Sequence, residues 1–102
     1  MHFRKAVMAD IPAAHEIING YAAEGLMLRR PLMMLYESVR DFTVALDDDG
    51  QVVGVGGLHI MWQDLAEIRS LAVKPGLTQR GVGRGLVEHL LAEAQSLGLK
   101  RI

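Results

Sequence analysis

The residues best suited to chemistry form a glycine- and arginine-rich segment that runs from Gly76 to Gly85. An apolar run ends at Val73 just before it, and an amphipathic stretch follows it. A turn of this composition that opens a helix presents free backbone N–H groups at the positive end of the helix dipole. Glycine lets the backbone approach a ligand closely, and Arg80 and Arg84 can add charge-assisted hydrogen bonds. The segment therefore predicts a site for a phosphate or pyrophosphate group.

The same segment admits three other interpretations. A Walker phosphate loop requires Gly-Lys followed by Ser or Thr, and the chain has no such triplet. A dinucleotide fingerprint follows the first strand of a βαβ unit, whereas these glycines come late in the chain. The glycines could also form only a tight left-handed turn beside solvated arginines. We favour the phosphate site because an apolar strand, a proline and a helix surround the turn.

The elements that must position this segment follow from the hydrophobic periodicity of the chain. Strands are predicted over 3–7, 42–46, 51–62 and 65–73, helices over 11–24, 31–39 and 82–98, and the start of a further strand over 100–102. Asp10 is predicted to cap the first helix, and Asp47 to Gly50 to form a hairpin turn. The resulting order, β-α-α-β-β-β-α-(β), predicts an α+β domain in which a helix packs on an antiparallel meander.

Composition narrows the class of protein further. A chain of 102 residues with 50% apolar and 23% charged residues predicts one soluble globular domain over residues 1–102. The net charge of −1 makes nucleic acid an unexpected partner, and no apolar run predicts a membrane span. The chain has no cysteine, no visible signal peptide and no metal-ligand spacing among its four histidines. These features predict a cytoplasmic protein without a metal ion.

With its order of elements, the segment resembles the signature of the GNAT superfamily of acetyl-CoA-dependent N-acetyltransferases. That signature is a strand that often reads Leu-x-Val, a turn with proline, and (Gln/Arg)-x-x-Gly-x-(Gly/Ala) opening a helix. Leu71-Ala72-Val73 and Pro75 match the strand and the turn, and Gly81 and Gly83 fall at the two small positions. In this frame Thr78 replaces the family's Gln or Arg. A second frame, which begins at position 80 and ends at position 85, fits the pattern literally but lengthens the turn by two residues.

Within the superfamily the chain is most similar to short N-acetylglutamate synthase-like enzymes of arginine biosynthesis. The stretches that carry this likeness are 28–32, 35–37 with 41–42, and 64–73. The family normally continues through another strand, a helix and a further strand, so the resemblance implies a fold that is partial at its C-terminus. A partner subunit that completes the sheet, as in a homodimer, would cover the free strand edge.

The resemblance implies that acetyl-CoA binds at the glycine-rich segment. Its pantetheine arm should pair with the backbone of Leu71 to Val73, and a backbone N–H of that strand should bind the thioester oxygen as an oxyanion hole does. The residues predicted to bind acetyl-CoA are Leu71, Ala72, Val73, Thr78, Gln79, Arg80, Gly81, Val82, Gly83, Arg84 and Gly85.

Glu67 is the candidate catalytic residue. Acetylation of an amine requires a group that takes a proton from it, and Glu67 is placed like the strand glutamate that acts as base in several GNAT enzymes. Alternation along a strand predicts that Leu65, Glu67, Arg69, Leu71 and Val73 share a face. An ion pair with Arg69, or a solvated strand face, is the alternative interpretation.

Two adjacent arginines, Arg29 and Arg30, are the candidate substrate residues. Arg30 matches a linker arginine of the synthase-like subfamily that holds a substrate carboxylate, which suits the bidentate fork of a guanidinium. Arg29 could substitute for it. A solvated arginine, or one that neutralises Glu24 or Glu37, is the alternative.

The resulting hypothesis is transfer of an acetyl group from acetyl-CoA to a small amine, with the α-amino group of glutamate as the favoured acceptor. Another small amine or a protein amine would use the same chemistry. A non-catalytic module that binds acyl-CoA is the competing hypothesis from a different class.

Overall fold

Four antiparallel strands form the centre of the molecule in this computed structural model, which describes residues 1–78 and 80–102. The strands are β1 (His2–Lys5), β2 (Phe42–Leu46), β3 (Val52–Trp62) and β4 (Leu65–Val73), and they lie side by side in chain order. This confirms the predicted meander and the α+β class. The Asp47–Gly50 turn joins β2 to β3, and its Gly50 adopts φ 78°, a left-handed conformation that glycine adopts without strain.

Two long helices cover opposite faces of the sheet. Helix α1 (Ile11–Ala23) buries an apolar stripe against one face, together with the short helix α2 (Leu32–Glu37). Helix α3 (Val82–Ser96) buries the stripe Val82, Leu86, Leu90 and Ala94 against the other. Gly54 makes the close approach of α3 possible, since an added Cβ would lie 2.9 Å from the Val82 side chain. The sheet thus fixes the start of α3 beside the end of β4.

A bulge at Ser70 reverses the orientation of the side chains along β4. Ser70 has φ 55°, and residues 70 and 71 of β4 face a single residue of β3. Before the bulge Ala66 packs on the α3 side, whereas after it Val73 packs there and Ala72 packs on the α1 side. One extra residue in a strand moves every later side chain to the opposite face of the sheet. It is therefore wrong that one face of β4 carries all five residues predicted to share it, which are Leu65, Glu67, Arg69, Leu71 and Val73.

The N-terminal boundaries also differ from those predicted. Strand β1 ends at Lys5 and not at position 7, because Ala6 makes a last hydrogen bond to β2 and the chain then turns. Asp10 precedes α1 but makes no capping hydrogen bond to it. Its carboxylate instead accepts hydrogen bonds from Arg4 at 2.7 and 3.1 Å and from the Val7 N–H at 2.8 Å.

Helix α2 spans six residues, fewer than the predicted 31–39, because Pro31 stays extended and a 3-10 turn follows at Val39–Asp41. At the other end of the chain Arg101 pairs in parallel with Leu65, where a further strand was predicted to begin. Among the described residues no helix is long and apolar enough to cross a membrane.

Candidate functional site

A cleft of about 380 Å³ lies beside the end of β4, and we call it the strand-end cleft. Its walls are Tyr21, Leu26, Met27, Leu71, Ala72, Val73, Thr78 and Gly83. Five of the residues predicted to bind acetyl-CoA therefore line one continuous surface. The Tyr21 hydroxyl donates to the Val73 carbonyl and so ties α1 to the wall of the cleft.

The start of helix α3 forms one end of this cleft. Gly81 adopts φ 78° at the N-cap, and the first helical hydrogen bond runs from the Gly85 N–H to the Gly81 carbonyl at 3.0 Å. The N–H groups of Val82, Gly83 and Arg84 precede that bond and have no acceptor in the helix. A Cβ at Gly83 would lie 3.6 Å from Val73, which is ordinary contact, so packing alone does not require glycine there. This helix end can receive an anion.

The other residues predicted to bind the phosphate differ in exposure and in hydrogen-bond partners. The Val82 side chain is fully buried, so only its backbone faces a ligand. Arg84 is 85% exposed and donates to Glu88 at 3.2 Å, a weak surface pair that a ligand can displace. Arg80 is exposed, and Gln79 lies outside the described residues.

Gly85 has a packing reason for being glycine. A Cβ there would lie 2.2 Å from Cζ of Phe3, whose ring stacks on His89 at a centroid distance of 4.7 Å. The Gly85 N–H is also engaged within α3. We therefore leave Gly85 out of the ligand set that we propose below.

A second cavity, of about 600 Å³, adjoins the first, and we call it the linker cavity. Its walls are Met27, Leu28, Arg29, Arg30, Met34, Glu67, Ile68, Arg69 and Ser70, so Met27 lines both cavities. The fold thus brings the two linker arginines to the same cavity as Glu67. Three guanidinium groups face one carboxylate on its wall, and this excess of positive charge favours an acidic ligand.

The Arg30 side chain is held in this cavity by the β4 bulge. Its Nη1 donates to Ser70 Oγ at 2.9 Å, while its Nε is buried and has no hydrogen-bond partner within the described residues. An unpaired buried donor costs free energy, and the described residues give the Arg30 Nε no acceptor that offsets this cost.

Glu67 lies on the cavity wall and pairs with Arg69. Arg69 Nε donates to Glu67 Oε1 at 2.8 Å, and the two side chains are 37% and 51% exposed. The alternative interpretation of Glu67 as one half of an ion pair thus describes this structure. Because pairs this exposed contribute little, typically about 0–1 kcal/mol, a ligand can displace Arg69 from the Glu67 carboxylate.

Ser70 and the contact between His59 and Asp41 were not predicted from the sequence. Ser70 resembled any strand residue, and no local signal marks a serine that adopts positive φ. A smaller adjoining cavity, of about 140 Å³, is lined by Arg30, Arg69, His59 and Asp41, among others. There His59 Nδ1 lies 3.1 Å from Asp41 Oδ2, a contact between residues 18 positions apart. The described residues contain no cluster of side chains suited to a metal ion.

Comparison with known proteins identifies the family. The family model described as the acetyltransferase (GNAT) family matches residues 12–102. The chain belongs to this family. It is 43% identical over 101 residues to an amino-acid acetyltransferase of Mycobacterium tuberculosis, and 30% identical over 100 residues to one of Neisseria meningitidis. These alignments cover 97% of the chain, but only 58% and 23% of the two relatives.

Two solved structures of similar fold were determined in complex with coenzyme A. A Mycobacterium tuberculosis protein crystallised in complex with CoA superposes with a TM-score of 0.92 at 41% identity, over 98% of this chain and 61% of that one. The N-acetylglutamate synthase of Neisseria gonorrhoeae, in complex with coenzyme A and N-acetyl-glutamate, gives 0.91 at 28% identity over 96% and 23%. The GNAT fold predicted from the sequence is thereby confirmed.

Proposed function

We propose that this chain transfers the acetyl group of acetyl-CoA to the α-amino group of glutamate or a related acidic amino acid. The observation that carries the proposal is the junction of two cavities at Met27. One leads along β4 to the open start of α3, and the other presents three arginines and a glutamate. The named relatives, amino-acid acetyltransferases and an N-acetylglutamate synthase crystallised with coenzyme A, support this assignment.

In this proposal the strand-end cleft holds the donor. The free N–H groups of Val82, Gly83 and Arg84 bind the pyrophosphate, and the pantetheine arm lies against Leu71 to Val73. A backbone N–H of that strand donates to the thioester oxygen, on which negative charge develops during the reaction.

The acceptor occupies the linker cavity. Arg30 binds its carboxylate through charge-assisted hydrogen bonds, and Arg29 adds positive charge nearby. Glu67 takes one proton from the ammonium group, and the freed amine attacks the thioester carbon. The tetrahedral intermediate then breaks its C–S bond and coenzyme A leaves as the thiolate. The second proton of the nitrogen passes to that thiolate, which gives the amide and free coenzyme A.

Calorimetric titration with acetyl-CoA tests the donor site. Gly83→Glu should abolish saturable binding, because a carboxylate there meets the bound pyrophosphate, while its charge suits a helix N-terminus and preserves folding. Gly20→Glu is the matched control, since Gly20 lies on α1 in open space and outside both cavities. Equal affinity in both variants would contradict the placement of the pyrophosphate.

Initial rates with glutamate and with propylamine test the acceptor site. Losing charge-assisted hydrogen bonds of about 1.5–3 kcal/mol in Arg30→Met should raise KM for glutamate roughly 10- to 150-fold. The exposed Arg40 provides the matched control, Arg40→Met. Equal turnover of both amines by the parent chain would refute an acidic acceptor. Tight acetyl-CoA binding without turnover of any amine would favour the acyl-CoA-binding module.

A further inference from the structure

A single side chain of helix α1 holds both backbone groups of Arg30. Asn19 Nδ2 donates to the Arg30 carbonyl at 3.0 Å, and the Arg30 N–H donates to Asn19 Oδ1 at 3.1 Å. The same Nδ2 donates its other hydrogen to the His15 carbonyl at 3.1 Å. Both donor hydrogens of the Asn19 amide and its oxygen are therefore engaged in hydrogen bonds, which fix the position of the Arg30 backbone relative to α1.

The residue held in this way lies in a segment without regular structure. Residues 27–31 contain no helix or strand, and the backbone hydrogen bonds that extend from the end of α1 stop at Leu26. An unanchored linker would have to lose conformational entropy each time that its arginine engaged a ligand. The hydrogen bonds of Asn19 remove that freedom in advance, in the manner of a preorganised binding site.

The Arg30 side chain is fixed at its other end as well. Ser70 Oγ accepts from Nη1, and the Nε–H remains buried and unpaired among the described residues. The backbone anchor and the guanidinium contact together hold the Arg30 side chain on the wall of the linker cavity, which Arg29, Arg69 and Glu67 also line.

We propose that Asn19 is a positioning residue that fixes Arg30 in the orientation that binds the carboxylate of the acceptor. The inference rests on the acceptor site proposed above, and it adds a residue that touches neither donor nor acceptor. Asn19 acts through the backbone of Arg30, so its effect falls on recognition of the carboxylate and not on transfer of the acetyl group.

Two variants separate this role from simple stabilisation of α1. Asn19→Asp keeps the shape but replaces the donor with an oxygen that faces two carbonyls, and Asn19→Ala removes the group. Gly20→Ala is the control, since it alters the same helix turn at a position with open space.

Steady-state kinetics provide the first measurement. Both Asn19 variants should raise KM for glutamate by about tenfold or more, as expected for a small displacement of a binding group. The kcat, the KM for acetyl-CoA and the rate with propylamine should stay within about twofold of the parent values. None of these three quantities depends on how Arg30 is positioned. A lower kcat, a higher KM for acetyl-CoA and a lower rate with propylamine would together overturn the proposal in favour of a structural role.

Hydrogen exchange of the Arg30 Nε–H, followed by NMR without any ligand, provides the second measurement. The parent chain should protect this buried proton, and the Asn19 variants should exchange it at least about tenfold faster if they free the side chain. Unchanged exchange would overturn the proposal whatever the acceptor proves to be. If exchange accelerates but the parent chain shows no preference for glutamate, the acceptor assignment fails and the anchoring of Arg30 stands. If exchange accelerates and only Arg30→Met raises KM, the proposed effect on recognition is refuted.

A double variant shows whether Asn19 acts through Arg30. If Asn19 acts only through Arg30, adding Asn19→Ala to Arg30→Met should leave KM for glutamate unchanged, since coupled residues are not additive. A further rise in KM would show that Asn19 acts by another route.

Discussion

Gly85→Ala is the substitution for which sequence pattern and packing make different predictions. As a ligand-binding glycine it would matter for acetyl-CoA, whereas the structure places its Cα against the Phe3 ring. An added Cβ would lie 2.2, 2.8 and 2.9 Å from three ring atoms. Ordinary carbon contacts are about 3.5–4.0 Å, so the ring must move by roughly 1.3 Å or more. Movement of that size disrupts its stacking on His89.

Two opposing contributions determine the expected change in the free energy of unfolding of Gly85→Ala. Overpacking of this kind costs about 1–3 kcal/mol. Replacing glycine by alanine inside a helix stabilises it by about 0.8–1.0 kcal/mol. The net loss should be between roughly zero and 2 kcal/mol, which corresponds to a fall in Tm of up to about 16 °C for a chain of this size.

Thermal unfolding of a double-mutant cycle is the decisive assay. In a Phe3→Ala background the ring is gone, so Gly85→Ala should raise Tm instead of lowering it. The coupling between the two sites should be on the order of 1–3 kcal/mol. Gly83→Ala is the control, because its Cβ makes ordinary contact and should be neutral or stabilising in both backgrounds.

Two results would refute this reasoning. An equal fall in Tm in both backgrounds would show that Phe3 is not the obstacle. Unchanged Tm together with lost acetyl-CoA binding would return Gly85 to the ligand set, as the sequence pattern suggested.

Three further predictions concern single side chains. Burial raises the pKa of Asp10. The hydrogen bonds from Arg4 and from the Val7 N–H, with the charge of Arg4, lower that pKa by more, so it lies below its usual value. Asp10→Asn should therefore destabilise the chain at pH 7, and the difference in unfolding free energy should shrink as the pH falls below about 3.9, the ordinary value. Ser70→Gly should preserve the bulge and be at least as stable as Ser70→Ala in urea unfolding, because only glycine adopts positive φ freely; both should weaken glutamate binding through Arg30. Glu67→Gln should lower kcat by about 10²- to 10⁴-fold with unchanged acetyl-CoA affinity, and kcat near that of the parent chain would exclude Glu67 as the base.

Much of the fold follows from local patterns in the sequence. The stripe at 82, 86, 90 and 94 has the helical period, and the structure buries all four side chains. The Asp-Gly turn and the alternating strands predicted the meander, which the structure confirms. The predicted boundaries of β1 and α2 were wrong because 3-10 turns follow them, at Met8–Asp10 and Val39–Asp41, and such turns depend on contacts that a periodicity does not encode.

The candidate site was predictable only as a set of residue types. Arg30 and Glu67 were singled out because they match residues of the family that the chain resembles, and the structure places both on the linker cavity. Their assigned roles remain predictions. Neither Asn19 nor Ser70 carried a signal, since their importance lies in bonds to a residue 11 or 40 positions away.

The sequence by itself determined the order of the elements, the glycine-rich start of α3 and the family to which these belong. Each of these depends on residues within one or two turns of one another. The tertiary structure alone decided which face of β4 carries Glu67, why position 85 is glycine, and what holds Arg30. The physical reason is that these three depend on one bulge and on through-space contacts, where a shift of one residue or one ångström reverses the outcome.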